Sequence, residues 1–287
     1  MNLLQIVEWA KDKNRFQTIE DYSEFCEEYL SFIFDGLQAV IVSQNENHYR
    51  FFQYRAEGNY NVSRPINSEL MISANDFEEA KTNFYYTLRH IREIQGNAEF
   101  RQNINRFVYT CQQAIGASLD ALASGESNKA RKINGDLFER YIRLILKRIG
   151  LDVHDGVVSV PVMIDNEELF KMSYQHDLIV EKEGAVRAIG SVKTSSKDRL
   201  DKIFVDKFLY NRLGQFTRNY TQTVKRAADN KRRYAPGWVH STCLLRGFPK
   251  GAAPHLAHDF AEQSVVCYTL CRRCPENTVA AGEGKGI

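Results

Sequence analysis

Apolar residues recur every three to four positions in "TIEDYSEFCEEYLSFIFDGL" (18–37) and again in "NDFEEAKTNFYYTLRHIREIQ" (75–95). That is the spacing of helices with one buried face. Between them "HYRFFQYRAEGNYNVSRP" (48–65) reads as irregular and aromatic-rich. The first 120 residues therefore read as mostly helical. A polar patch, "ASGESNKARK" (123–132), is the best candidate boundary. Beyond it "NGDLFERYIRLILKRIG" (134–150) predicts a helix, with a capping residue at its start, apolar Leu137, Tyr141, Leu144 and Ile145, cations in its last turn, and Gly150 as its stop. Three short runs rich in β-branched residues follow, "GVVSVPVMI", "YQHDLIV" and "AVRAIGSVK", each bounded by charge or glycine. Helical spacing then returns in "RLDKIFVDKFLYNRL", where Leu200, Ile203, Phe204 and Phe208 share a side. The expected order is helix, three strands, helix. Residues 1–130 form a mostly helical region and residues 131–287 a second unit.

Composition narrows the class. A chain of 287 residues with 43% hydrophobic and 26% charged residues can bury a substantial core. It has no basic-then-apolar leader and no apolar run near the roughly 20 residues a spanning helix needs, so a soluble cytoplasmic protein without membrane association is expected. Six unevenly spaced cysteines suggest reduced thiols. Cys267, Cys271 and Cys274, with Cys243, His240, His255 or His258, lack the paired spacing of zinc knuckles, and free thiols are the better reading. Net charge is only +2, but it is unevenly spread: residues 1–60 hold ten Asp/Glu against five Lys/Arg, and residues 187–233 hold thirteen Lys/Arg against four Asp/Glu. The basic segment suits a phosphate-facing surface, and equally a solvated helix face.

Chemistry concentrates on the strands. Adjacent strands lie about 4.8 Å apart, so Asp177 and Lys193, at the ends of two apolar runs, can meet at a sheet edge. Asp177 with the Val192 carbonyl suits Mg2+, which takes hard oxygen ligands, while Lys193 can orient water or offset phosphate charge. The plain alternative is a surface ion pair. Glu139 shares a helix face with Ile142 and Leu146, where an uncompensated charge is costly; its alternative is an exposed pair with Arg143 one turn on. Asp206 stands at the edge of an apolar face and can turn to the sheet or to solvent. In "SSKDR", Arg199 can donate to guanine and Asp198 can accept from cytosine, although charged triplets are also common at helix starts. "GSVKTSS" lacks the glycine before lysine that a phosphate-binding loop needs.

Together these residues resemble the PD-(D/E)xK nuclease fold, and within it the type II restriction endonucleases whose sites contain CCGG. The resemblance rests on Asp177, on the Ser-x-Lys of Ser191–Lys193, on an acid and an arginine five and six residues later (Asp198, Arg199), and on Asp206, thirteen residues after Lys193. It is most specific over residues 134–212. It departs from the motif at His176, which replaces a proline, and at Asp206, shorter than the usual glutamate. The resemblance implies an α/β (α+β) core with a mixed sheet flanked by helices. It implies Mg2+ bound by Asp177 with Glu139 or Asp206, Lys193 beside the attacking water, and Asp198 with Arg199, helped by Lys197, reading double-stranded DNA. It also implies a homodimer or a tetramer of paired dimers, and a companion methyltransferase.

From about residue 213 the chain is atypical. The fold continues elsewhere with a buried strand, yet "TRNYTQTVKRAADNKRRYAPGWVH" is polar and basic and "CYTLCRRCPENTVAAGEGKGI" has no clear period. A divergent or frameshifted tail that weakens the catalytic core is expected. Two alternatives to a site-specific nuclease stay open: a sequence-specific DNA-binding protein of the same fold that is catalytically impaired, and a repair nuclease without sequence preference.

Overall fold

The first two helices of the N-terminal half begin where side chains supply partners for otherwise unpaired N–H groups. The computed structural model describes residues 1–44, 47–56, 59–93, 97–164, 167–194 and 265–270. α1 (Leu3–Lys11) opens on a capping box, the Gln5 N–H donating to Asn2 Oδ1 at 2.9 Å and the Asn2 N–H to Gln5 Oε1 at 3.0 Å. α2 (Ile19–Gly36) repeats the device with Thr18 and Asp21. α3 (Phe77–Arg89) and α4 (Ala98–Asp120) follow, and α4 is buried at every position from Phe107 to Leu119. α1, α2 and α3 all pack on it.

The aromatic-rich stretch is not irregular: it is the middle of a small antiparallel sheet. β1 (Ala39–Val42), β2 (Tyr49–Ala56) and β3 (Asn59–Val62) lie side by side, and β4 (Ile66–Asn67) also pairs with β2. The period there is two, with Phe52 and Tyr54 buried and Arg55 exposed. Tyr54 and Tyr29 of α2 share a hydroxyl–hydroxyl hydrogen bond of 2.7 Å.

The polar patch at 123–132, the candidate boundary, is largely helical. A single 3-10 turn, Ser124–Glu126, runs directly into α5 (Ser127–Arg148). Lys, Ala and Arg are good helix formers, and Ala130 and Ile133 are already buried, so the helix starts about two turns before Asn134. Asn134, expected as a cap, is instead a buried mid-helix residue. The other end matches expectation. Gly150 has φ +86°, its N–H donates to Lys147 O at 2.9 Å, and the Leu151 N–H donates to Leu146 O at 3.1 Å, which closes the helix in a Schellman motif.

α5 packs on α2, α3 and α4 and also on the second sheet. Its contacts with α2 include the stacked rings of Tyr22 and Tyr141, 4.4 Å apart, and a 2.8 Å bond from Tyr22 Oη to Leu137 O. One hydrophobic cluster runs from Ile6 through this helix to Val192. No helix among the described residues is long and apolar enough to cross a membrane.

The second sheet has the order β5 (Asp152–Ile164), β6 (Glu167–Lys182), β7 (Ala185–Lys193), β8 (Val265–Leu270). The three predicted strands are all present, the first two longer than their apolar runs. Every pairing among the described residues is antiparallel. β6 turns into β7 through Glu183 and Gly184, both at positive φ, as in the two-residue turns that match strand twist. Pro161 sits on β5, an edge strand among the described residues, the kind of strand to which proline in a sheet is confined. β8 is drawn from the atypical tail, so a strand lies beside β7 where the sequence reading left a gap. The helix expected at 199–213 and the cysteine-rich end beyond Leu270 lie outside the described residues.

Arg64 locks the small sheet to the end of α4. Its Nε donates to Asp120 Oδ2 at 2.8 Å, its Nη2 to Asp120 Oδ1 at 2.9 Å and to Gly116 O at 3.0 Å, and its own N–H to Asp120 Oδ2 at 2.7 Å. A Cβ at Gly116 would stand 2.4 Å from this guanidinium, so glycine is what lets the clamp close. Asp120→Ala removes three hydrogen bonds at once. We expect it to lower the unfolding free energy by about 1–3 kcal/mol, read as an earlier urea midpoint.

Candidate active site

The site forms where β7 stops and β6 continues. β7 pairs with β6 only from Leu178 onward, so the earlier part of β6 runs on with β5 as a two-stranded ribbon. Asp177 stands at that step, inside β6 and not at its end, and Lys193 is the last residue of β7. Both side chains are about four-fifths covered, at 18% and 20% exposure. The Lys193 ammonium donates to Asp177 Oδ2 and, at 3.0 Å, to Val192 O. The Val192 N–H donates to the same Asp177 Oδ2 at 2.8 Å. Val192 itself is buried in the core, which fixes the strand end that presents these groups. Ser191, half-buried, shares the strand face of Lys193 by alternation. His176, in the place of the motif's proline, is buried, its ring 6.4 Å from that of Tyr174.

α5 brings the second acid. Glu139 is half-buried beside Asp177. Burial first, and the Asp177 carboxylate second, push its acid up to about 7, against the opposing pull of Lys193 and Arg143. The exposed pair with Arg143 that spacing alone allowed is not what forms. Arg143 reaches past Glu139 to the strands, donating to the Asp177 backbone carbonyl at 3.2 Å and lying 3.7 Å from the Asp155 carboxylate of β5. Its tie to β6 went unread in the sequence; the one available signal was its place one turn from Glu139 on the same helix side.

A short basic turn from the N-terminal half is latched alongside. Lys13 pairs with Asp136 at 2.8 Å, and Arg140 Nη1 donates to Lys13 O at 2.6 Å and Phe16 O at 3.2 Å. These contacts brace α5 on both sides of Glu139.

The donor set suits a hard divalent cation. Two carboxylates and a backbone carbonyl are oxygen ligands of the kind Mg2+ takes. Asp177 Oδ2 and Val192 O already accept from one cation, the Lys193 ammonium. Among the described residues no group of three or more His, Cys, Asp and Glu gathers for a metal. Asp206, Lys197, Asp198 and Arg199 lie outside the described residues.

No protein-family model matches the chain, and no curated protein matches it. Among solved structures, the crystal structure of the type IIP restriction endonuclease Kpn2I is similar, with TM-score 0.50 and 15% identity over 73% of this chain and 70% of that one. That likeness shows the fold alone: an α+β architecture like that of this restriction endonuclease.

The raised acid of Glu139 sets a pH dependence. Its folded value of about 7 lies above the ordinary 4.5, so between these limits the folded chain holds a proton that the unfolded chain has released. Without divalent ion, this group's contribution to stability therefore falls as pH rises from 4.5 to about 7. Glu139→Gln removes that loss. Thermal melts in chelator should show the variant matching the parent near pH 4.5 and melting higher at pH 8; a uniform difference at both pH values would contradict this account.

Proposed function

We propose that this chain is a Mg2+-dependent type II restriction endonuclease that cleaves both strands of duplex DNA at a short palindromic site containing CCGG. The observation that carries the reading is the contact of Lys193 with Asp177 and the Val192 carbonyl at one sheet step, with Glu139 of α5 near enough to feel both charges, in a fold shared with a type IIP restriction endonuclease. Asp177, Glu139 and the Val192 carbonyl would hold the ion, with Asp206 as a further acid. Bound Mg2+ supplies positive charge toward the scissile phosphate and acidifies a water molecule. Lys193, already on the oxygens of Asp177 and Val192, reaches whatever lies against them, and so orients the attacking water and offsets charge on phosphate. The water oxygen bonds to phosphorus and the bond from phosphorus to the sugar oxygen breaks. Ser191 belongs to the Ser-x-Lys that sets the lysine on its strand.

Recognition falls to Lys197, Asp198 and Arg199, just beyond β7. A palindromic site has two equivalent strands, which calls for a two-fold dimer, or a pair of such dimers, with one active site per strand. Host DNA then needs a companion methyltransferase. In this reading residues 1–130 brace the catalytic helix and either clamp DNA or dimerise, and residues 131–287 carry the nuclease core.

Incubating a plasmid of known sequence with the chain and Mg2+ should yield discrete fragments whose mapped ends share one site. Intact plasmid accompanied by a specific gel shift would assign instead a DNA-binding protein of the same fold, and a smear would assign a nuclease without sequence preference. Asp177→Ala should abolish cleavage and leave the gel shift in place; retained cleavage would remove Asp177 from the metal site. Arg199→Ala should cost about 1–3 kcal/mol of discrimination at one guanine, measured by competition between matched and mismatched duplexes.

A further inference from the structure

Gly135 is a glycine without an internal reason. It sits inside α5, in ordinary helical backbone and not among the glycines at positive φ. Glycine there weakens the helix relative to almost any other residue. At Gly116 the cost has a visible return, since a Cβ would collide with Arg64. At Gly135 a Cβ would meet nothing within 4 Å among the described residues. Packing of the described chain therefore tolerates a side chain at this position.

Its place on the helix supplies a use. Gly135 precedes Glu139 by four residues, so the two lie on one side, a turn apart. Beyond Glu139 that side is covered, with Ile142 and Leu146 buried. Before it the side is open: Gly135 is half-exposed, and Arg131 and Lys132, one turn earlier, are exposed. Asp136, the nearest acid along the chain, is neutralised by Lys13 at 2.8 Å. The helix thus offers a strip of bare backbone, flanked by cations, that leads to the carboxylate of the candidate metal site.

We propose that Gly135 is the clearance over which the sugar–phosphate strand of a bound duplex passes on its way to Glu139, with Arg131 and Lys132 against its phosphates. The inference rests on the nuclease reading above and adds to it a surface on α5 that the motif residues do not include. Any side chain at position 135 holds the strand off the helix, and the longer it is the larger the displacement.

Gly135→Ala and Gly135→Gln in the full chain test this, because both residues favour helix. Melting temperature should rise by about 2–4 °C in both. Cleavage of supercoiled plasmid in Mg2+ should fall, by about a hundredfold for the glutamine and less for the alanine. Filter binding of the linear plasmid in Ca2+ should weaken in the same order. Variants that melt higher yet bind and cut as the parent does would overturn the proposal. A lower melting temperature would also overturn it, by showing that another part of the chain packs on Gly135. If the unmodified chain neither binds nor cuts the plasmid, the nuclease reading itself falls, a result separate from the other two.

Discussion

Two carboxylates brought together in a half-buried place repel each other and lose water, and the folded chain must offset both costs. Here the offset is built from cations and from rigidity. Lys193 sits on Asp177, Arg143 spans from α5 to the strand that carries Asp177, and the acid of Glu139 is displaced to about 7 because the compensation is incomplete. Burial is the larger cause and the neighbouring Asp177 carboxylate the smaller, so the acid keeps its proton to higher pH than an exposed glutamate would.

What holds the arrangement is packing at some distance from it. α5 is fixed from the N-terminal side by the Tyr22–Tyr141 stack, by Lys13 on Asp136 and by Arg140 on the turn at Lys13–Phe16. It is fixed from the other side by the strands that bury Leu178 and Val192. The helical half thus positions Glu139 as directly as the sheet positions Asp177. This is why the acidic first 60 residues, unpromising as a phosphate surface, still bear on the geometry of the candidate site.

The features legible in the sequence were those with local causes. Gly150 ended α5 because a left-handed residue closes a Schellman motif, and the three strands showed in β-branched runs with glycine or charge between them. Asp177 and Lys193 met because two strands joined by a two-residue turn have little freedom of register. Glu139 was legible as an acid on an apolar helix side. Features whose causes are tertiary stayed hidden. α4 buries Thr110, Gln112, Gln113 and Ser118 at the centre of the helical half, so polar residues do not mark its exposed side. β2 and β3 looked irregular because their alternation is short and aromatic on both sides. The start of α5 was masked by polar residues that belong to an exposed helical turn and not to a linker. For Lys197, Asp198, Arg199 and Asp206 the reading stands on spacing from Lys193.

α5 belongs to two assemblies at once, with one side in the helical bundle and the other against the second sheet. Such a shared beam limits modular exchange. Neither half could be transplanted onto another scaffold without carrying the helix along and exposing its abandoned flank. Divergence in this lineage should therefore proceed by altering strand ends and loops around a retained backbone, with wholesale shuffling of segments disfavoured.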